Sequence, residues 1–323
     1  MKIAVIGPRF FGYSEAITEK LNSFDGVKAV YFDERPSNTL IVKILIRLRL
    51  KMFLGKSVLN YHSEVAGAIN LGNFDVLLSL DSESLSGEWL ESLNCPLKVF
   101  YMWDSLKNKP VFSDLLSYFN VISTFDPKDA ERLECKLIHL FAEEEFSHFK
   151  KSSRQRDIDL VFVGTLHSIR VALLKRIRRY YEVKGHFYYH GRLLFLIQMI
   201  LNGSFSVDLF GELSTRQKSK FEIAELLLRS KGVIDIAHPG QSGLTSRTFE
   251  SLRAGCVVYS NNAKQIIAHV PKEFHGRVRD IKMLLAKSNN VQIQGTLGLS
   301  QEADYWLSIE RFCEDILLLL DDK

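Results

Sequence analysis

Short apolar runs, each closed by glycine or a polar residue and followed by a stretch with helical spacing, recur along the whole chain. The first, Lys2 to Ile6, stops at Gly7-Pro8 and leads into a helix-compatible stretch from Ser14 to Phe24. Val27 to Phe32, Val76 to Leu80, Lys98 to Tyr101 and Asn120 to Thr124 repeat the pattern. Strands apolar on both faces must be covered on both, and helices spaced between them do this in a parallel sheet. The expected class is therefore α/β.

The pattern breaks once, at the charge-dense segment Lys150-Lys151-Ser152-Ser153-Arg154-Gln155-Arg156, and restarts at Asp159-Leu160-Val161-Phe162-Val163-Gly164. Strands are expected at 159–164, 186–190, 206–210, 233–236 and 256–260, with helices at 168–182, 219–229 and 245–254. Ala303 to Leu320 is apolar at helical spacing and reads as a closing helix. A length of 323 residues, 46% hydrophobic and 25% charged, suits two domains with separate cores. The expected division is a Rossmann-like domain over 1–150, a second over 151–300, and a helix over 301–323 packing back on the N-terminal domain.

A net charge of +4 is too small to point to nucleic acid. Cys95, Cys135, Cys256 and Cys313 are far apart and suggest neither a zinc site nor a disulfide framework. With no export signal and no apolar stretch of membrane-spanning length, a cytoplasmic location is expected. Leu40 to Leu54 mixes Ile, Leu, Val and Phe with Lys43, Arg47, Arg49 and Lys51. It reads either as a helix lying in a membrane interface or as a packed helix with snorkelling cations.

The most informative stretch is Gln241 to Asn262, where an expected strand is followed by a glycine-rich turn, a helix, Gly255 and another buried strand. Such a turn presents backbone N–H groups and the positive end of a helix dipole, which suits a diphosphate. Ser242, Thr245 and Ser246 add hydroxyls, Arg247 a cation, and Glu250 a carboxylate one turn further on.

The pattern Gln241, Gly243, Leu244, Thr245, Arg247, Glu250 and Gly255 resembles the donor domain of GT-B glycosyltransferases. More narrowly, it resembles bacterial proteins of capsule, O-antigen or lipopolysaccharide biosynthesis. The resemblance implies two Rossmann-like domains facing each other across a cleft. It also implies a nucleotide diphosphate sugar as donor substrate, with Glu250 on its ribose and Gly243 to Ser246 on the sugar or diphosphate, and neither metal nor other cofactor. Retaining members often carry a second glutamate eight positions before the ribose-binding one. Here that position is Ser242, so stereochemistry does not carry over.

The strand–turn–helix around Gly164 and Arg170 resembles the first such unit of the same donor domain. Gly164 would allow close backbone approach and Arg170 would offset diphosphate charge, unless Arg170 joins the other cations of a solvated helix face. In the first half, Trp103-Asp104-Ser105 and Phe125-Asp126 follow buried strands and resemble segments of the same group. Asp104, beside Trp103, is the candidate general base. Asp104 and Asp126 also suit helix caps. Arg9 and Phe10 follow the first strand and, with Trp103 and Asp126, are acceptor-side candidates. Asp81-Ser82-Glu83 reads as a loop.

The expected reaction is transfer of a sugar to a hydroxyl of a bacterial surface glycan or lipid-linked acceptor, with peripheral contact at the inner membrane. The alternatives are an inactive GT-B-like scaffold and a nucleotide-sugar epimerase, for which His167 and His238 would be members of the site.

Overall fold

The structure is a computed structural model that describes residues 1–9, 11–37, 39, 55–151, 156–166, 168–201, 206–237, 242–285 and 298–321. The segment Leu40 to Leu54, Phe10, His167, His238 and Gln241 lie outside the described residues. By compactness the chain divides into two units. One comprises Met1–Leu140, Gly240–Gly243 and Ile309–Lys323; the other comprises Phe141–Pro239 and Leu244–Ser308.

In the first unit, β1 (Lys2–Gly7), α1 (Tyr13–Leu21), β2 (Lys28–Asp33), α2 (Gly55–Gly72), β3 (Val76–Leu80), α3 (Gly87–Glu91), β4 (Leu97–Met102), β5 (Val121–Thr124), α4 (Pro127–Leu133) and β6 (Lys136–Leu137) alternate along the chain. The strands form one parallel sheet in the order β2-β1-β3-β4-β5-β6. Strand order reverses between β1 and β3, the place where open α/β sheets leave a crevice beyond the strands' carboxyl ends. Ala4, Ile6, Leu77, Phe100 and Met102 are buried in the core cluster, where Phe100 meets Phe112 edge-on and stacks on Phe119.

The closing helix, Ile309–Asp321, belongs to this unit. Phe312 packs edge-on against Tyr101 at 5.0 Å, and Arg311 donates to the carbonyls of His139 and Leu140 at 3.1 and 2.6 Å.

In the second unit, β7 (Ile158–Thr165), α5 (Ser168–Ile177), β8 (Val183–Tyr188), α6 (Arg192–Leu201), α7 (Val207–Gly211), α8 (Lys220–Leu228), β9 (Ser230–Asp235), α9 (Ser246–Arg253), β10 (Val257–Ser260), α10 (Ala263–His269), β11 (Val278–Asp280) and α11 (Gln301–Trp306) follow one another. Their parallel sheet runs β11-β10-β9-β7-β8, so strand order reverses between β7 and β9. Gly185 in β8 has φ +144°, and a Cβ there would lie 1.8 Å from the Phe162 carbonyl oxygen. Only glycine fits this approach of β8 to β7.

Arg253, at the end of α9, is 2% exposed. It makes paired hydrogen bonds to Asp304 at 3.0 and 2.8 Å and donates to the Ala142 carbonyl at 2.7 Å. A buried guanidinium is stable only with such full satisfaction.

Two expectations need correction. Residues 206–210 were expected to form a strand but belong to a helical turn, α7. The alternation Val207, Leu209 mimics a strand, yet Leu209 and its neighbour Phe210 turn to the core while Val207 is exposed. Ala303 to Leu320 is two helices, not one. Between them Ala142 N–H donates to the Leu307 carbonyl at 2.7 Å, and Ser308 forms an isolated bridge with Ala142 where the helical ladder is broken.

Candidate functional site

In the second unit the candidate residues gather where β9 ends and α9 begins. Thr245 caps α9, its hydroxyl accepting Thr248 N–H at 3.2 Å. The Thr245 and Thr248 hydroxyls both donate to Asp235 Oδ2, at 2.9 and 2.6 Å, so the last residue of β9 fixes the start of the helix. Ser246 opens the helix, half-buried, and Leu244 is buried just before it.

Glu250 is 3% exposed, and Arg247 donates to its Oε2 through Nη1. The Arg247 Nε is buried and has no acceptor among the described residues. A buried guanidinium N–H without a partner is costly, and a ligand oxygen is one way to satisfy it.

Arg170 has a different position from that of an exposed helix cation. Its Nε and Nη2 donate to the Ile236 carbonyl at 3.1 and 2.8 Å, and its Nη1 to the Thr165 carbonyl at 2.9 Å. It therefore ties together the chain ends of β7 and β9, the two strands that flank the switch in order. Burial lowers its pKa, with the Arg247 cation adding to the effect and Asp235 opposing both. Gly164 lies beside it: a Cβ there would meet Arg170 Nη1 at 3.3 Å.

In the first unit, Asp126 is 2% exposed and serves two segments at once. Its Oδ1 accepts Lys128 N–H at 3.0 Å and caps α4. Its Oδ2 accepts the N–H groups of Ser242 and Gly243 at 2.8 and 2.9 Å, and the Ser242 hydroxyl donates to Oδ1. Burial works to raise the Asp126 pKa, but the bonds from Ser242, Gly243 and Lys128 outweigh it and hold the carboxyl below its usual range. Gly243 is fitted tightly here, since a Cβ would come within 2.5 Å of the Phe125 ring and 2.9 Å of its carbonyl oxygen.

Trp103 and Asp104 are half-buried in the loop after β4. Asp104 Oδ1 accepts Ser105 N–H at 2.8 Å and Asn108 Nδ2 at 2.9 Å, so one of its oxygens acts as a turn cap. Arg9 is largely exposed, 3.2 Å from Glu15 and 3.8 Å from Asp33.

The residue that reading the sequence missed is Asp81. The segment is a loop, as expected, but Asp81 itself is 1% exposed, with φ +52°, directly after β3 at the switch in strand order. Its Oδ1 accepts the N–H groups of Trp103 and Asp104 at 3.2 and 3.0 Å, and Lys109 pairs with its Oδ2. Lys109 also lies 3.2 Å from Glu83 and over the Phe112 ring. Burial pushes the Asp81 carboxyl up to about 7 against the opposing pull of Lys109. The available signal was an acid placed immediately after a wholly apolar strand, Val76 to Leu80.

Among the described residues no group of three or more His, Cys, Asp or Glu side chains is placed to hold a metal, and no helix is long and apolar enough to cross a membrane. No family model matches the chain, and no curated protein matches it in sequence. Similarity to solved structures is extensive. Staphylococcus aureus MnaA with UDP superposes with a TM-score of 0.57 at 9% identity, over 98% of this chain and 94% of that one. The UDP-GlcNAc 2-epimerase of Neisseria meningitidis bound to UDP-GlcNAc gives 0.57 at 9% identity over the full length of both. AviGT4, a glycosyltransferase involved in avilamycin A biosynthesis, gives 0.56 at 9% identity, over 99% and 96%. At such identities the likeness establishes architecture, and with the two parallel sheets it shows that this chain has a GT-B fold of two Rossmann-like units.

Proposed function

We propose that the chain is an enzyme acting on a nucleoside diphosphate sugar, with the diphosphate held at the turn into α9 and the ribose hydroxyls at Glu250. The observation that carries this reading is the Arg247–Glu250 pair at the start of α9, with the buried Arg247 Nε lacking an acceptor among the described residues. Helix N-termini favour phosphate oxygens, and a carboxylate one turn along suits vicinal hydroxyls. Two of the similar structures hold UDP or UDP-GlcNAc.

Epimerisation of the sugar is the reaction we favour, because UDP-GlcNAc 2-epimerases recur among the similar structures, with TM-scores of 0.57 and 0.52. Glycosyl transfer is the second reading, favoured by the motif from Gly243 to Gly255 and by the likeness to AviGT4. In that reaction the sugar C1–O bond to the diphosphate breaks, a C1–O bond to a glycan or lipid-linked hydroxyl forms, and Asp104 takes the hydroxyl proton. A cytoplasmic role in bacterial surface polysaccharide assembly belongs to this second reading.

The two separate on incubation of the purified chain with UDP-, GDP-, CDP- and dTDP-sugars, followed by proton NMR. A new sugar diastereomer without nucleotide release supports epimerisation. Slow release of nucleoside diphosphate supports transfer. No thermal shift with any of the sugars would overturn the nucleotide-sugar reading and leave a scaffold.

A further inference from the structure

Beyond the carboxyl ends of β10 and β11 the second unit has a cavity of about 760 Å³. The segments that leave the two strands form two of its sides, Asn261 to Lys264 after β10 and Asp280 to Lys282 at the end of β11. The third side is α5, through Leu173 and Arg176, which share one face of that helix. The volume is that of a small-molecule site, and α/β sheets take their ligands beyond the carboxyl ends of their strands. Arg170, Thr245, Arg247 and Glu250 are not among the lining residues, so the cavity is distinct from the turn into α9.

The charge of the lining indicates what it takes. Arg176, Lys264 and Lys282 come from three separate elements and converge on this one hollow. All three are exposed, and among the described residues none has an ion-pair or hydrogen-bond partner for its side chain. The acid of the lining, Asp280, is engaged with the backbone, its Oδ1 accepting Lys282 N–H at 2.8 Å. Like charges gathered around a hollow repel one another, and a bound anion relieves that repulsion. Three cations against one acid leave a charge of +2. This complements a phosphate monoester, which carries about −1.5 to −2 at pH 7. Inorganic phosphate alone would leave most of the volume unfilled. Leu173 and Ile281, both packed on the core of the unit, supply an apolar wall for the rest of a larger molecule.

We infer that this crevice is a second ligand site, for a phosphomonoester with an apolar body, its phosphate among Arg176, Lys264 and Lys282 and its body against Leu173 and Ile281. The inference rests on the cavity and its lining, and holds whichever sugar reaction the enzyme performs.

The test is calorimetric titration of the full chain with phenyl phosphate and with inorganic phosphate, at an ionic strength held constant with sodium chloride. The wild type is expected to bind phenyl phosphate severalfold more tightly than inorganic phosphate, because only the former covers the apolar wall. The variant R176A/K264A/K282A should bind phenyl phosphate at least tenfold more weakly, with an unaltered thermal melt. If that variant does not fold, K264Q/K282Q replaces it. Arg247→Ala should leave this binding unchanged. Wild-type-like affinity in the cavity variant would overturn the assignment, as would failure of the wild type to bind phenyl phosphate. Binding lost in Arg247→Ala and kept in the cavity variant would place the phosphate at the turn into α9 and overturn it equally.

Discussion

Asp126 accepts the Ser242 backbone N–H through Oδ2 at 2.8 Å and the Ser242 hydroxyl through Oδ1, although the two residues lie 116 positions apart in sequence. With the bonds to Gly243 and Lys128, the carboxylate organises the end of one loop and the start of α4. Replacing Asp126 by alanine should lower stability by roughly 3 kcal/mol in urea melts, because buried N–H groups lose a charged acceptor. The pH dependence has a defined sign. The folded pKa lies below the unfolded one, so the contribution is complete above the ordinary carboxylate value and is lost as pH falls through the folded value. An Asp126→Asn variant should show a shallower loss of stability in acid than the wild type.

Asp81 gives the opposite slope. Its folded pKa, about 7, lies above the unfolded value of 3.8. Between these values the folded chain holds the extra proton, so this contribution is complete below the unfolded pKa and disappears as pH rises through about 7. Asp81→Asn should flatten the fall in melting temperature between the two values. A variant that retains the wild-type slope would remove Asp81 as its source.

Glu250 and Arg247 make the donor assignment testable without an activity assay. Glu250→Gln keeps the side-chain volume but removes the charge that meets Arg247. The melting shift induced by the nucleotide sugar that stabilises the wild type should fall at least severalfold. Arg247→Ala should do the same. An undiminished shift in Glu250→Gln would sink the ribose assignment.

Arg170 should behave as a structural clamp. It satisfies the carbonyls of Thr165 and Ile236 through a planar fork. Lysine has no such fork, so Arg170→Lys should cost about 2 kcal/mol of stability, measured by urea denaturation, in the absence of any ligand. A stable Arg170→Lys variant with weaker nucleotide binding would instead mark a direct ligand contact.

The two sheets were legible because runs such as Ala4 to Ile6 and Val161 to Val163 are apolar on both faces, a local property of sequence. Strands β6 and β11, of two and three residues, are too short to carry a pattern. The α7 turn was misread because four residues of alternation do not separate a strand from a helical turn. For the site, residue types near α9 could be read, but their engagements could not. Arg170 looks like one of several cations on a helix until the Ile236 carbonyl, 66 residues away, is placed beside it. Asp81 looks like a loop acid until the Trp103 and Asp104 amides and Lys109 surround it. Such long-range partnerships have no local periodicity.

The closing helix sets a condition on how the chain is made. Phe312 against Tyr101, and Arg311 on the carbonyls of His139 and Leu140, complete the first unit with residues synthesised after the whole of the second. During translation the first sheet therefore emerges with an uncovered flank, and its final packing waits for residues 309–321 to leave the ribosome. A fragment ending near residue 140 would keep every strand of that sheet and still lack its last wall, so cutting the gene between the two units should yield an aggregation-prone piece instead of an autonomous domain.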